Sequence, residues 1–318
     1  MPLRLGSRGS PLARWQAQEV QRRLAALGQS CEIVLVQTTG DRRTDVSLAT
    51  LGGKGLFTRE LELELAGHRL DAAVHSLKDV PSLLPQGMAL AAILEREDPH
   101  DALIAAPGMR WDQLAHGARV GTSSLRRQAQ ALALRPDLRI LPLRGNVDTR
   151  LRRWRDGDFD ALLLAAAGLK RLGRADAIAE ILPADQFCPS AGQGALALEC
   201  RADDHATWTA LQPLNHAATA VAVTAERALL QRLECGCQAP VGAYARMEAA
   251  PDECDYLVLS AVIASADGQR LVRRHSQISL PALDAAPAAE VAARRLGLAV
   301  AEALLGAGAA AILRESYA

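Results

Sequence analysis

Residues 119–173 read RVGTSSLRRQAQALALRPDLRILPLRGNVDTRLRRWRDGDFDALLLAAAGLKRLG. Short apolar runs at Arg119–Gly121, Leu138–Leu143 and Asp160–Ala166 predict strands. TSSLRRQAQALAL between the first two opens on hydroxyl residues suited to a helix N-cap, and RGNVDTRLRRWRDG between the second pair predicts a loop and a helix. The alternation is β-α-β-α-β. It implies a parallel sheet with right-handed crossovers, hence an α/β protein.

The basic residues of this stretch are placed unevenly. Arg126 and Arg127 fall in the first turn of a helix, where the macrodipole favours acids rather than bases. Arg144 follows a strand end, Arg150 lies one turn into the next helix, and Lys170 and Arg171 follow the third strand. In open α/β sheets the C-terminal strand edge is where ligands bind. Six basic groups at that edge, with Thr122, Ser123 and Ser124 at a helix start, predict a cleft for a ligand rich in carboxylates, which guanidinium forks grip bidentately. Arg152, Arg153 and Arg155 read as a solvated helix face.

Upstream the same grammar appears once more. Leu3–Gly6 predicts a strand, SRGS a loop with Arg8 and Ser10, and Ser10-Pro11 a helix start that runs toward Gly28. Glu32–Gln37 predicts the next strand. The polar stretch Thr38–Gly53 predicts a long loop, ending in GGKGLF and a helix. GGKG departs from the phosphate-loop pattern because Gly55 follows Lys54. Asp71–His75 predicts a strand that delivers SLKDVPS, so Lys78 and Asp79 stand just past its C-terminal end. After a strand at Met88–Ile93, Asp98-Pro99 marks a crossing into the second unit, and PSAGQGALALECR (189–201) returns the chain to the first sheet.

Beyond Ala217–Leu233, a long helix, comes QRLECGCQAPVG (231–242), with Cys235 and Cys237 one residue apart. A thiol on a tight turn after a helix is a place for covalent attachment, and the residues alone leave both cysteines open. Tyr256–Ile263 and Arg270–Ser279 predict a hairpin turning at Asp267-Gly268. Glu290–Leu305 predicts a helix, and Leu296–Leu313, interrupted by Glu302, predicts packing rather than a membrane span.

Composition narrows the classes. The 318 residues carry 36 basic and 36 acidic side chains, and aromatics are 3%. Balanced charge and scarce aromatics argue against a nucleic-acid binder. Only Lys54, Lys78 and Lys170 are lysines against 33 arginines, which singles out those three. Six dispersed cysteines do not form a disulfide framework, and the first residues have no apolar leader core, so a reduced cytoplasm is expected. Cys235 and Cys237 lack the companions of a metal site.

In this order, SRGSPLARWQA, GGKGLFTRELE, DAAVHSLKDVP, EREDPHDA, VGTSSLRRQ, LRGNVDTRL, AGLKRLG, PSAGQGALALECR and TAERALLQRLECGCQAPVGAY resemble the porphobilinogen deaminase (hydroxymethylbilane synthase) family. The resemblance implies three domains. Two are α/β lobes like type II periplasmic binding proteins, residues 1–98 with 195–215, and 99–194. The third is a small α+β domain, 216–318. It implies a transferase of tetrapyrrole biosynthesis that joins four porphobilinogen molecules head to tail with loss of ammonia, on a dipyrromethane cofactor bound by a thioether to Cys237. It assigns the acetate and propionate groups to Arg8, Arg126, Arg127, Arg144, Arg150 and Arg171, helped by Ser10, Lys54, Lys78, Thr122, Ser123 and Ser124, and gives Asp79 the catalytic role. A cytoplasmic monomer without nucleic-acid or membrane partners is expected. Two positions depart from the family pattern: Cys235 stands in place of a glycine before the anchor, and Arg59 in place of a lysine. A bilobal solute-binding protein without catalysis is the rival class, and it leaves Asp79 and Cys237 without a use.

Overall fold

The computed structural model describes residues 2–39, 55–235, 239–249, 255–283 and 286–316. The chain divides into two compact units, Met1–Glu97 with Gly194–Ala220, and Asp98–Gln193 with Val221–Ala318.

The first unit is built on β1 (Leu3–Arg8), β2 (Cys31–Val36), β3 (Ala72–Ser76), β4 (Met88–Ile93) and β10 (Leu196–Arg201), in the order β2-β1-β3-β10-β4. β1 pairs in parallel with β2 and β3, whereas β10 inserts antiparallel between β3 and β4. Helix α1 (Pro11–Ala26) starts where Ser10-Pro11 predicts. The Ser10 side chain accepts from the Ala13 N–H, and Ala17, Val20 and Leu24 are buried. They join Leu5, Val74 and Leu198 in the apolar core on one side of the sheet. Helix α2 (Arg59–Ala66) packs Leu61 and Leu65 with Leu70 and Ala73 on the other.

The second unit contains the expected βαβαβ: β6 (Arg119–Gly121), α3 (Leu125–Leu134), β7 (Arg139–Leu141), α4 (Val147–Arg155) and β8 (Ala161–Ala165). α3 and α4 are capped by Ser124 and Asn146. β6 pairs in parallel with β7 and β8. Two strands were not legible in sequence, β5 (Asp101–Ile104) and β9 (Glu180–Leu182). β5 pairs antiparallel with both β8 and β9, giving the order β7-β6-β8-β5-β9. The βαβαβ strands run parallel as expected, and each sheet is completed by a strand that enters antiparallel after the crossover, β5 in one sheet and β10 in the other. The two sheets share one topology. Lys170 and Arg171 lie on a short helix, α5 (Ala166–Arg171), that continues directly from β8.

Glu97 and Gly194, where the chain leaves and re-enters the first unit, touch. Glu97 N–H donates to the Gly194 carbonyl at 3.1 Å. Gly194 has φ +91°, and a Cβ there would lie 2.2 Å from the Glu97 carbonyl oxygen, so both its conformation and its contact require glycine. Helix α6 (His205–Leu211) follows β10, and α7 (Ala217–Arg232) spans the residue at which the two units divide.

The C-terminal part of the second unit is an antiparallel sheet of β11 (Val241–Ala249), β12 (Asp255–Ala264) and β13 (Leu271–Ser279), with α8 (Ala286–Gly306) and α9 (Ala309–Ser316). Leu229, Leu257, Leu259, Ile263, Leu296, Val300 and Leu304 form its core. The Asp267-Gly268 turn does join β12 to β13, and it is pressed against α3. Gly268 has φ +74°, and a Cβ would meet the Ala133 nitrogen at 2.4 Å. Gln128 of α3 donates to the Ala266 carbonyl beside it. Among the described residues no single helix is long and apolar enough to cross a membrane; α8 and the following Ala309–Glu315 reach that length and composition only together, bent by 84°.

Candidate active site

In each unit the sequence-predicted residues gather at the C-terminal edge of adjacent parallel strands. In the first unit Arg8 ends β1 and Ser10 follows it, while Lys78 and Asp79 follow β3, the parallel neighbour of β1. The Arg8 guanidinium lies 4.1 Å from the centroid of the Phe57 ring, a cation–π contact that orients a long side chain. Leu77–Asp79 forms one 3-10 turn. Leu77 N–H donates to the Ala195 carbonyl, Val80 N–H closes the turn onto the Leu77 carbonyl, and Leu77 and Val80 are buried. The Asp79 carboxylate is half-buried, and no group among the described residues donates to it. Lys54 lies outside the described residues.

In the second unit Thr122, Ser123 and Ser124 link β6 to α3. Thr122 Oγ1 accepts from the Ser124 N–H, and Ser124 caps α3 through the Arg127 N–H. Ser123 Oγ donates to the Leu143 carbonyl at 2.8 Å and accepts from its N–H, tying this loop to the segment after β7. Arg144 follows there. Arg150 Nε donates to the Gly145 carbonyl at 2.7 Å, which folds the α4 side chain back over the same loop. Arg171 is half-buried at the end of α5. Lys170 departs from the expected cluster: its Nζ is 2.9 Å from Asp98 Oδ2, and Asp98 Oδ1 also meets His100 Nδ1 at 2.7 Å. Burial would raise the Asp98 carboxyl, but Lys170 and His100 together hold it below its usual range.

Arg126 and Arg127, expected to meet ligand carboxylates, are 4% and 6% exposed and turn onto Asp101, which is fully buried at the start of β5. Arg126 Nη1 lies 2.7 Å from Asp101 Oδ2, and Arg127 Nη2 lies 2.8 Å from Oδ1. Gln193 Nε2 adds a third donor at 2.9 Å. The physical reason is that a buried carboxylate must be paired, and helix-start arginines are the nearest cations. Burial alone would raise the Asp101 carboxyl, yet the two guanidiniums hold it well below the usual range. Burial likewise pushes the Arg127 guanidinium down, with Asp101 as its only offsetting acid among the described residues. Two buried cations share one buried anion, so the cluster keeps one positive charge in surplus beside the Thr122–Ser124 hydroxyls. That surplus suits an anionic group.

EREDPHDA and TAERA hold two acids, Asp101 and Glu226, whose roles the sequence pattern does not show. Glu226 is fully buried. Its Oε2 accepts from the Gly192 N–H at 2.6 Å and its Oε1 from the Ala245 N–H at 2.8 Å, so it ties the SAGQG loop to β11. A charged residue among apolar neighbours on α7 was the available signal. Cys235 is buried in the third sheet's core, its Sγ against the Leu230 carbonyl. Cys237 lies outside the described residues. Among the described residues no group of three or more His, Cys, Asp or Glu side chains is placed to hold a metal ion.

The first unit also holds a half-buried acid on α2. Burial pushes the Glu62 carboxyl of α2 up, and the nearby Glu199 carboxylate adds to the rise. The folded chain therefore holds this proton more tightly than the unfolded chain. The penalty for ionising Glu62 is absent below the unfolded value of about 4.3 and grows as pH rises through the folded one. Glu62→Gln is expected to raise the urea midpoint at pH 8 and to leave it near wild type at pH 4.5. An equal gain at both values contradicts the linkage.

Fold and site define an α/β protein whose two sheets of common topology carry cations and hydroxyls at their strand ends, furnished for an anionic small molecule. Two family models match the chain: porphobilinogen deaminase, dipyromethane cofactor binding domain, over residues 3–209, and porphobilinogen deaminase, C-terminal domain, over residues 220–306. The porphobilinogen deaminases of Trichlorobacter lovleyi and Geobacter sulfurreducens are each 48% identical over 317 residues, which is 99% of this chain and 96% and 95% of theirs. The chain belongs to the porphobilinogen deaminase family. Among solved structures, the methionine-binding protein MetQ is similar at a TM-score of 0.43 and 12% identity, over 67% of this chain and 89% of that one.

Proposed function

We propose that this chain condenses four porphobilinogen molecules head to tail in tetrapyrrole biosynthesis, releasing ammonia at each step and hydroxymethylbilane by final hydrolysis. The observation that carries the reading is the Asp79 carboxylate: half-buried, without a donor among the described residues, at the C-terminal end of β3 beside Lys78. Among the described residues the buried acids Asp101 and Glu226 are held by guanidinium or N–H donors. A carboxylate kept open at a strand end is suited to meet a cation that forms on the substrate.

Dipyrromethane, joined through a thioether to Cys237, supplies when bound the primer to which the pyrroles are added. The donor set fits it, because each pyrrole ring brings an acetate and a propionate. Arg8, Arg144, Arg150 and Arg171, with Lys54 and Lys78, supply the countercharge. Ser10, Thr122, Ser123 and Ser124 supply hydroxyls. Arg126 and Arg127, held by Asp101, contribute their surplus positive charge rather than open forks. As the substrate's C–N bond breaks, ammonia leaves with the bonding pair and the pyrrole carries positive charge. Asp79 stabilises that charge. After the new C–C bond forms, Asp79 accepts the proton lost from the pyrrole carbon.

The division into domains at 1–98 with 195–215, 99–194 and 216–318 remains part of this proposal, as do a cytoplasmic setting, a monomeric state, and the absence of nucleic-acid and membrane partners. Zero formal net charge supports the last two. The buried position of Cys235 supports Cys237 as the attachment point.

The test is intact mass of the purified chain, followed by fragmentation of the 233–246 peptide. A dipyrromethane adduct on Cys237 is expected, and it should persist in Cys235→Ser. An adduct on Cys235, or none in a sample that converts porphobilinogen, overturns the assignment.

A further inference from the structure

The first unit contains a buried pair that the chemistry above does not use. His75 lies on β3, four residues before Asp79, and Glu199 lies on β10. They are 4% and 0% exposed, and His75 Nε2 is 2.8 Å from Glu199 Oε2. The two groups face each other at ion-pair distance without hydrogen-bond alignment. From α2 and the residue before it, Glu62, Arg59 and Thr58 complete the polar surroundings. A polar pair in this place costs desolvation, and its best-attested use is to fix a register.

The sheet shows which register is at stake. Against β3, β10 pairs without interruption from Leu196–Ser76 to Cys200–Ala72. Against β4, its register slips between Leu198 and Glu199. The β4 side therefore interrupts its hold on β10 at the residue that meets His75. One step past the β3 ladder, the Ala195 carbonyl receives the Leu77 N–H and starts the turn that carries Asp79. The β3–β10 register thus decides where that turn begins. A slip of one residue reverses the faces of a strand. It would turn Glu199 into the apolar core that holds Leu196 and Leu198, and part it from His75.

We propose that the His75–Glu199 pair is a register lock that positions Asp79, a role resting on the catalytic reading of Asp79. Gln16 Nε2 holds Ser76 Oγ at 2.8 Å from the opposite side, so the strand end is fixed from both faces.

The test compares His75→Gln, Glu199→Gln and the double variant in the full, cofactor-loaded chain. Amide exchange at Leu77 and Val80 is read beside exchange in β5 and β8, together with kcat and KM for porphobilinogen. Each single variant is expected to speed exchange at Leu77 and Val80 by about ten-fold or more, with β5 and β8 unchanged. It should lower kcat by roughly ten-fold with little change in KM, as a displaced catalytic group does. The double variant, with two neutral amides, should recover part of the protection. Should Glu199→Gln fail to fold, Glu199→Asp, which keeps the charge on a shorter stem, is expected to give the same local pattern more weakly. Unchanged exchange at Leu77 and Val80, or an acceleration shared equally by β5 and β8, overturns the lock. Turnover that survives Asp79→Asn removes the catalytic reading instead, and the exchange result still decides whether the pair holds the turn.

Discussion

Asp79→Asn is expected to lower kcat by about 10²–10⁴-fold while leaving KM within a few-fold, the range for removal of a general base or charge stabiliser. The change is isosteric. The turn that carries the residue is held by backbone bonds from Leu77 and Val80 and by burial of both side chains, none of which uses the carboxylate. Asparagine therefore removes charge and proton affinity and leaves the geometry in place. Binding depends on the arginines and should persist, so the variant should carry cofactor and accept substrate but turn over slowly. Steady-state kinetics with intact mass on the same sample separates the two. Near-normal kcat in a correctly loaded variant contradicts the assignment.

Much of the frame around Asp79 is legible in the sequence. Ser10-Pro11 announced α1, Thr122-Ser123-Ser124 announced α3, and the strand ends that carry Arg8, Asp79 and Arg144 follow from short apolar runs between caps and turns. These features are local, and local chemistry specifies them. The parts that escaped are set at a distance. β5 and β9 are short strands whose pairing depends on β8 rather than on their own pattern. With β5 unseen, Asp101 had no address, and so the burial of Arg126 and Arg127 could not be foreseen. The charge of a helix-start arginine is visible in sequence, but the partner that turns it inward is 25 residues away on another strand. His75 and Glu199 escaped for the same reason: 124 residues separate them, and only the antiparallel insertion of β10 brings them together.

Asp101→Asn is expected to destabilise the chain by about 3–5 kcal/mol, the usual cost of removing one partner from a buried ion pair. Asp101 is fully buried, and its two oxygens receive both guanidiniums and the Gln193 amide. Asparagine fills the same volume but leaves two buried cations without an anion, and its amide presents N–H groups to groups that also donate. For a unit of this size the loss corresponds to a fall in Tm of roughly 10 °C. The pH dependence gives a second, independent signature. The folded protein holds the Asp101 carboxyl well below its ordinary range, so its contribution is present above the unfolded value near 4 and is lost as pH falls toward the folded one. The gap in Tm between wild type and Asp101→Asn should be full at pH 7 and should narrow below pH 4. Because the same substitution doubles the surplus positive charge at the start of α3, the variant should also hold its anionic ligands in a changed geometry, and kcat should fall even at temperatures where it stays folded. A Tm within 2 °C of wild type at pH 7, checked by thermal unfolding, contradicts the buried pairing of Arg126 and Arg127 on Asp101.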